Sequence, residues 1–514
     1  MAPGLLAPLD DAFRGEKPVG LWALSAGAVL LCAYLLGVAV YRLCFHPLAR
    51  YPGPKLSAVS SIPFALSLMR GDAAHDALWL HEKYGDVVRI TPNQLSFTHP
   101  DAWQDIYNYK LDRPHFVKEL TGYPESISKI PSIQIADDAR WSIHRRLLAH
   151  GFSEKALREH RLPLLESYTQ KLLESLRRHV SGPSQGKVDI GRLLNFTTFD
   201  LTADLTFGKS LQCLERNDYN PWVALVFDSV KAAISLNAIR MFPTFNAILV
   251  RMMPKSLMQK AVDHFNLCVQ WTNQRLESKS ERPDFVLLLQ KPVGGKELSK
   301  GELYADVPIL LLGGSETSAT VLTACIHYLC KNPRVQTKLR DELLASVPSK
   351  EDITLQNVAK IDYMTAVLWE TMRIFVAVPG YLPRVSPKGG AYVAGNFVPE
   401  NMTVSTFGWA MTHSKRNFRE PYTFAPERWV EGDTTWTSDR KGALQPFSVG
   451  PRNCVGKNLA WAEMRIILAQ LLWNFNFELC EDSQDWSEQR KTYILWANHS
   501  MNVKLSPRLE KGNA

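Results

Sequence analysis

Only eight of the 514 residues are cysteine (Cys32, Cys44, Cys213, Cys268, Cys325, Cys330, Cys454 and Cys480), and no two form a C-x-x-C pair. So sparse a set argues against a disulfide framework and against a structural zinc site, since each needs thiols in close company. Most of these cysteines are expected as small buried hydrophobes, in a compartment that keeps thiols reduced. Basic runs are equally scarce. The formal net charge of +8 is spread along the chain, which weighs against nucleic acid and suits an anionic membrane or an acidic protein partner. No nicotinamide or flavin fingerprint, internal repeat or long low-complexity tract is present. The composition, 46% hydrophobic and 21% charged, supports a large core. Length alone would allow about three domains, but no interior linker divides the chain. It reads as one large domain with an N-terminal appendage.

That appendage is the one long hydrophobic run. Residues 19–41, VGLWALSAGAVLLCAYLLGVAVY, carry no charge, and about 20 apolar residues span a bilayer as a helix. The run exceeds a signal-peptide core of about 7–15 residues, so a retained anchor is expected. Arg14 and Lys17 precede it, among Asp10, Asp11 and Glu16, whereas Arg42, Arg50 and Lys55 follow. The basic excess on the far side favours a cytosolic body, with residues 1–18 as a short luminal tail, and fits the endoplasmic reticulum. Residues 42–60 follow as a stiff hinge, because Pro47, Pro52, Gly53 and Pro54 cannot continue a helix. Residues 61–514 form the globular body.

Hydrophobic periodicity and stop signals predict helices over 162–180, 302–330, 355–375 and 458–475. Short strands are predicted over 87–90, 95–98 and 402–407, with turns between brief strands over 383–399. The expected fold is mainly α with a minor β sheet.

The stretch FSVGPRNCVG, residues 447–456, sets one cysteine in a glycine-punctuated loop. Gly450 and Gly456 would let the backbone turn tightly and approach a flat ligand. Cys454 falls just before a predicted helix, where amide donors and the helix dipole favour a thiolate. A thiolate can bind haem iron axially, and Arg452 would face an anion such as a haem propionate. Together these ten residues resemble the haem-binding signature of the cytochrome P-450 (haem-thiolate) family, F-x-x-G-x-R-x-C-x-G, matched at Phe447, Gly450, Arg452, Cys454 and Gly456.

Three further stretches match that family in order. ETMR places Glu370 and Arg373 one helical turn apart, and APERW supplies Arg428; the resemblance implies a buried structural Glu–Arg–Arg network. Breaking such a network strands a charge at a cost of roughly 3–5 kcal/mol. GGSETS, residues 313–318, resembles the oxygen-activation motif and implies that Glu316 and Thr317 relay protons beside a local helix bulge. Hydroxyl back-bonding to a helix carbonyl is the competing reading for such residues. Pro308 suggests an extra kink upstream. Trp141 and Arg145 match the W-x-x-x-R pattern that contacts haem propionates, and Arg384 sits where the family has another propionate partner.

The resemblance covers nearly the whole chain, and HPLARYPGPKL and HRRLLAHGFS look most like membrane-bound fungal members of secondary metabolism. It implies a single cytochrome P-450 domain binding haem b, with NADPH electrons arriving through a separate membrane-bound reductase. One oxygen atom would enter a hydrophobic small molecule of terpenoid or polyketide type, and the other would leave as water. Arg452, Lys457 and Arg465 are expected to help dock the acidic reductase. A haem-thiolate isomerase, desaturase or ring-forming enzyme is the alternative, and a non-catalytic membrane haem- or sterol-binding protein a third reading. Residues 111–131, 236–245, 376–382 and 494–501 are expected to line the pocket, with Tyr381 and Asn498 as candidates to orient a polar group or to pack the core.

Overall fold

The computed structural model describes residues 19–109, 114–218, 221–292, 294–488, 490–497 and 499–508. Residues 1–18 and Asn498 lie outside the described residues. Helix α1, Val19–Val40, continues through a π-helical turn at Tyr41–Phe45. From Leu24 to Phe45 it is long and apolar enough to cross a membrane, and none of it is buried in the body.

Strands β1 (Val87–Thr91), β2 (Gln94–Phe97) and β3 (Val117–Lys118) follow. The helices that matter most for the site come next: α2 (Asp138–Gly151), α3 (Leu162–Ser181), α4 (Ile190–Phe207), α5 (Lys300–Lys331) and α6 (Asp362–Ile374). Strands β4 (Arg384–Val385), β5 (Ala391–Val393), β6 (Asn396–Val398) and β7 (Thr403–Thr406) precede the last long helix, α7 (Lys457–Asn474). Five strands make one sheet in the order β1-β2-β7-β4-β3, while β5 and β6 pair as a separate hairpin. The sheet is antiparallel except for β2 against β7.

Helix α5 is the central beam. It starts at a capping box, in which the Ser299 hydroxyl accepts from the Glu302 amide and the Glu302 carboxylate accepts from the Ser299 amide. It stays helical through Pro308 and the glycine pair, with neither a break nor a π-bulge. The bulge expected at residues 313–318 is therefore absent. Gly314 serves helix contact instead: a Cβ there would stand 2.9 Å from Thr202 Cγ2 of α4. Most of α5's apolar surface is buried, so its length and hydropathy mark a core helix rather than a second span.

The helices expected at 162–180, 302–330 and 458–475 match α3, α5 and α7 to within two residues. The single helix expected over 355–375 is two, Leu355–Val358 and α6. Between them the chain turns, with Lys360 and Ile361 amides bonding to Asn357 and Val358 carbonyls, and Ile361 goes extended to bury its side chain. Of the eight cysteines, three are fully buried, Cys213, Cys268 and Cys325. The expectation that most would be buried fails, because Cys32 and Cys44 sit on the apolar N-terminal helix and Cys454 opens onto a cavity.

Candidate functional site

The cysteine loop is held by its own backbone. The Cys454 amide donates to the Phe447 carbonyl at 2.9 Å, and the Asn453 amide to Gly450 at 3.2 Å. Gly450 needs to be glycine twice over: its φ is +74°, and a Cβ would lie 2.2 Å from the Tyr107 carbonyl oxygen. That close approach is to backbone rather than to a ligand. Gly456 has an ordinary negative φ. A Cβ on it would make only van der Waals contact with Phe152 and Cys454 Sγ, so the ligand-free chain does not itself demand glycine there.

Cys454 lies three residues before the start of α7, and it lines a cavity of about 370 Å³. Burial pushes its thiol up, while the Gly456 amide, Arg145 and Lys457 pull it back. The amide donors thought to favour a thiolate are present but outweighed by desolvation. Phe447 lines the same cavity and packs near Trp461.

Helix α5 supplies Gly313, Gly314, Thr317 and Ser318 to the cavity wall. Thr317 Oγ1 donates to the Gly313 carbonyl at 2.8 Å, the back-bonded arrangement, with its hydroxyl oxygen at the cavity. Glu316 does not line this cavity. It points into the α4 interface, where Asn195 Nδ2 donates to Oε1 at 2.7 Å. Burial pushes its carboxyl up to about 7, with the Asn195 bond pulling back. The acid that does reach the cavity is Glu463 of α7, pushed by burial to about 7 and eased by the Ser318 hydroxyl. Nothing in the residue pattern singled it out.

A group of cations gathers beside the loop. Arg452 donates to Asp138 Oδ1 at 2.8 Å and to the Ala136 carbonyl at 2.7 Å, with its guanidinium 4.9 Å from the Trp141 ring centroid. Burial raises the Asp138 carboxyl, but bonds from Arg452, Tyr109 and His115 prevail and hold it at about 2. Arg145 donates to the Asn453 carbonyl at 2.8 Å and to Asn453 Oδ1 at 2.7 Å, so it braces the loop. Arg384 is buried, donates to the Tyr123 hydroxyl at 2.6 Å and lies over the Tyr107 ring. The β3–β4 register sets Lys118 directly opposite Arg384, a pairing of like charges that is unfavourable by itself. Lys118 donates to the Gln134 carbonyl, and burial, then Arg384 and Arg452, push its ammonium well down. Lys118 is invisible in sequence, because only strand pairing brings it here. Among the described residues, Asp138 alone forms an ion pair with any of these four cations. Arg452 and Arg465 do not offer the free basic surface expected of them: Arg452 turns inward and Arg465 packs over Trp461.

Glu370, Arg373 and Arg428 meet in one buried cluster. Arg373 donates to both Glu370 oxygens at 2.9 and 2.8 Å, and Arg428 to Oε1 at 3.2 Å. Trp429 and the Ala425 amide also donate to Glu370, and Asp439 accepts from Arg428. Two acids thus balance two arginines in a fully buried cluster.

Of the segments expected at the cavity, 376–382 lines it. Among the described residues, those of 236–245 and 494–501 do not, and the 111–131 stretch gives way to Ile133 just beyond it. Residues 110–113 lie outside the described residues. Tyr381 stacks on Phe407 and packs the core.

The chain matches the cytochrome P450 family over residues 54–505. It is 40% identical to trichothecene C-15 hydroxylase of Fusarium sporotrichioides, over 95% of this chain and 98% of that one. The cytochrome P450 monooxygenase efuB of Hormonema carpetanum is 39% identical, over 95% and 97%. Averantin hydroxylase of Dothistroma septosporum is 38% identical, over 95% and 92%. The family carries haem iron on a thiolate, and the residues present fit that group. Arg452 Nη1 is buried without a hydrogen-bond partner, and the opposed Lys118 and Arg384 lack a counter-anion among the described residues, as a carboxylate-bearing ligand would require. The chain belongs to the cytochrome P450 family and is a haem-thiolate monooxygenase.

Proposed function

We propose that the chain inserts one oxygen atom from dioxygen into a neutral hydrophobic metabolite of terpenoid or polyketide type, in secondary-metabolite biosynthesis. The observation that carries this reading is a single apolar cavity that takes in both Cys454 and Thr317, with Glu463 as its only charged side chain among the described residues. An anionic substrate would find no counter-ion there, and a cationic one only Glu463, whose carboxyl burial pushes up to about 7. Two relatives are named hydroxylases, which supports oxygen insertion over rearrangement.

In this reading Cys454 would hold haem iron, and Arg452, Arg384, Lys118, Arg145 and Trp141 would hold its carboxylates and edge. The group so held would supply dioxygen activation for transfer to a C–H bond. The Thr317 hydroxyl, freed from the Gly313 carbonyl by a small rotation, presents a proton to the cavity. Glu316 acts from the α4 interface through its place on α5, not as Thr317's direct partner. Ile309, Leu310 and Val376 exclude water and orient the substrate by shape.

Electrons come from NADPH through a separate membrane-bound reductase. The apolar helix anchors the chain in the endoplasmic reticulum with the body on the cytosolic side. Exposed Leu56, Ile62, Leu66, Met69 and Trp79 follow the anchor, and they support a membrane-apposed face.

The test is Cys454→Ala. The wild type, reduced and treated with carbon monoxide, should show the red-shifted Soret band, and the variant should lose it. A retained band removes Cys454 from the iron. Deleting the gene in its host and comparing metabolites by mass spectrometry then identifies the substrate. A precursor lacking one oxygen supports hydroxylation, whereas an isomer or a pair differing by two hydrogens overturns it.

A further inference from the structure

Asp306 is a fully buried acid one helical turn from the cavity wall. Ile309 and Leu310, three and four residues on, line the cavity, and so does Leu148, four residues after His144. The two helices meet at this pair: His144 Nδ1–H donates to Asp306 Oδ2 at 2.5 Å. The other carboxylate oxygen accepts the backbone amide of Ile133 at 2.6 Å, and the Ile133 side chain itself lines the cavity. The loop over 130–136 is tied at both ends as well. A Cβ on Gly301 would stand 2.2 Å from Ile130 Cδ1, so the loop sits hard against the start of α5. At the other end Arg452 binds the Ala136 carbonyl. Glu302, paired with Arg140, lies 3.5 Å from His144 Nε2, which has no hydrogen-bond partner. Charged groups from α2 and α5 thus converge on a single loop amide.

We propose that Asp306 is a positioning residue for the reaction: by holding the Ile133 amide it fixes a wall of the substrate chamber and sets the bulk of molecule admitted. His144 keeps the Asp306 carboxylate turned toward the loop. Without that acceptor the Ile133 amide is unpaired, and the loop keeps its end holds, its own turn onto the Ser132 carbonyl and the Lys118 bond to the Gln134 carbonyl, none of which touches Ile133, so Ile133 can swing away from the chamber. The inference rests on the reading of this cavity as the chamber beside Cys454.

The test uses haem-loaded full-length protein and two azole probes that bind the iron, imidazole and the bulky clotrimazole, titrated by their Soret shifts. D306A should bind clotrimazole at least fivefold more tightly relative to imidazole than the wild type does. D306N keeps a carbonyl oxygen for the Ile133 amide and should stay within twofold of wild type. An unchanged ratio in D306A, or an equal shift in D306N, overturns the proposal, because a merely structural role would alter both probes alike. If D306A does not accumulate loaded with haem, amide hydrogen exchange in the wild type decides. The Ile133 amide should be protected at least tenfold over an exposed loop amide, and exchange at the exposed rate overturns the latch. A wild type that binds neither azole overturns the chamber reading itself, leaving the latch to the exchange measurement.

Discussion

Glu316 and Lys118 show how much an individual side chain depends on its surroundings. The Glu316 carboxyl titrates near 4.5 when free and near 7 in the fold, because burial disfavours its charge. Between those values the native state holds the extra proton, so this group's contribution to stability declines as pH rises from about 4.5 to 7 and then levels off. Glu316→Gln removes that dependence. Chemical denaturation at pH 5 and pH 8 should show the variant gaining roughly 2–3 kcal/mol on the wild type across the interval. A pH-independent difference would mean that the carboxyl is not buried as described. Lys118 poses the reverse problem, a half-buried cation facing Arg384. Supplying an anion resolves it, so Lys118→Met should speed haem release to apomyoglobin about tenfold, roughly 1.4 kcal/mol. Unchanged release would place the propionates elsewhere.

At the level of elements, α5 and α4 meet at a glycine. Alanine normally gains about 1 kcal/mol over glycine inside a helix. At Gly314, however, the new methyl would press on the Thr202 side chain at 2.9 Å, and β-branched threonine has few rotamers to retreat into. Gly314→Ala should therefore destabilise by about 1–3 kcal/mol. Thr202→Ser, which removes the pressing methyl, should recover most of that loss in a double-mutant cycle of thermal melts. Additive effects would show that the helices are free to move apart. Gly313, with nothing within 4 Å, gives the contrast: its neighbour is tied to packing, whereas it simply leaves the cavity open.

For the molecule as a whole, the segment that follows the apolar helix is fastened to the body. Arg89 donates to the Arg42 carbonyl at 2.8 Å and to Pro92, and Leu48 is completely buried. A Cβ on Gly53 would lie 2.4 Å from the Arg89 carbonyl oxygen, so the proline hinge lies flat on β1. Removing residues 1–40 should release the protein from membranes in a flotation assay and leave its denaturation midpoint unchanged. Removing residues 1–45 should cost a further 1–2 kcal/mol or so, since the buried guanidinium loses a carbonyl acceptor. Equal stability of the two truncations would mean that the hinge is a loose tether.

Residue order alone made the cysteine loop, the Glu370–Arg373 turn, the apolar N-terminal helix and the long helices legible, because each depends on neighbours within a few positions. Spacing, capping and glycine conformation act locally and leave local marks. The partners Lys118, Glu463, Asp439 and Asp306 left no such mark: each gains its place from a strand register or a helix crossing that joins distant parts of the chain. For the same reason Glu316, adjacent to Thr317 in sequence, faces a different interior, since about 100° separates consecutive residues on a helix. The cysteine loop was written in ten consecutive residues. The cations gathered beside it, and the walls of the cavity it faces, were decided only when the sheet paired and α5 packed against α4.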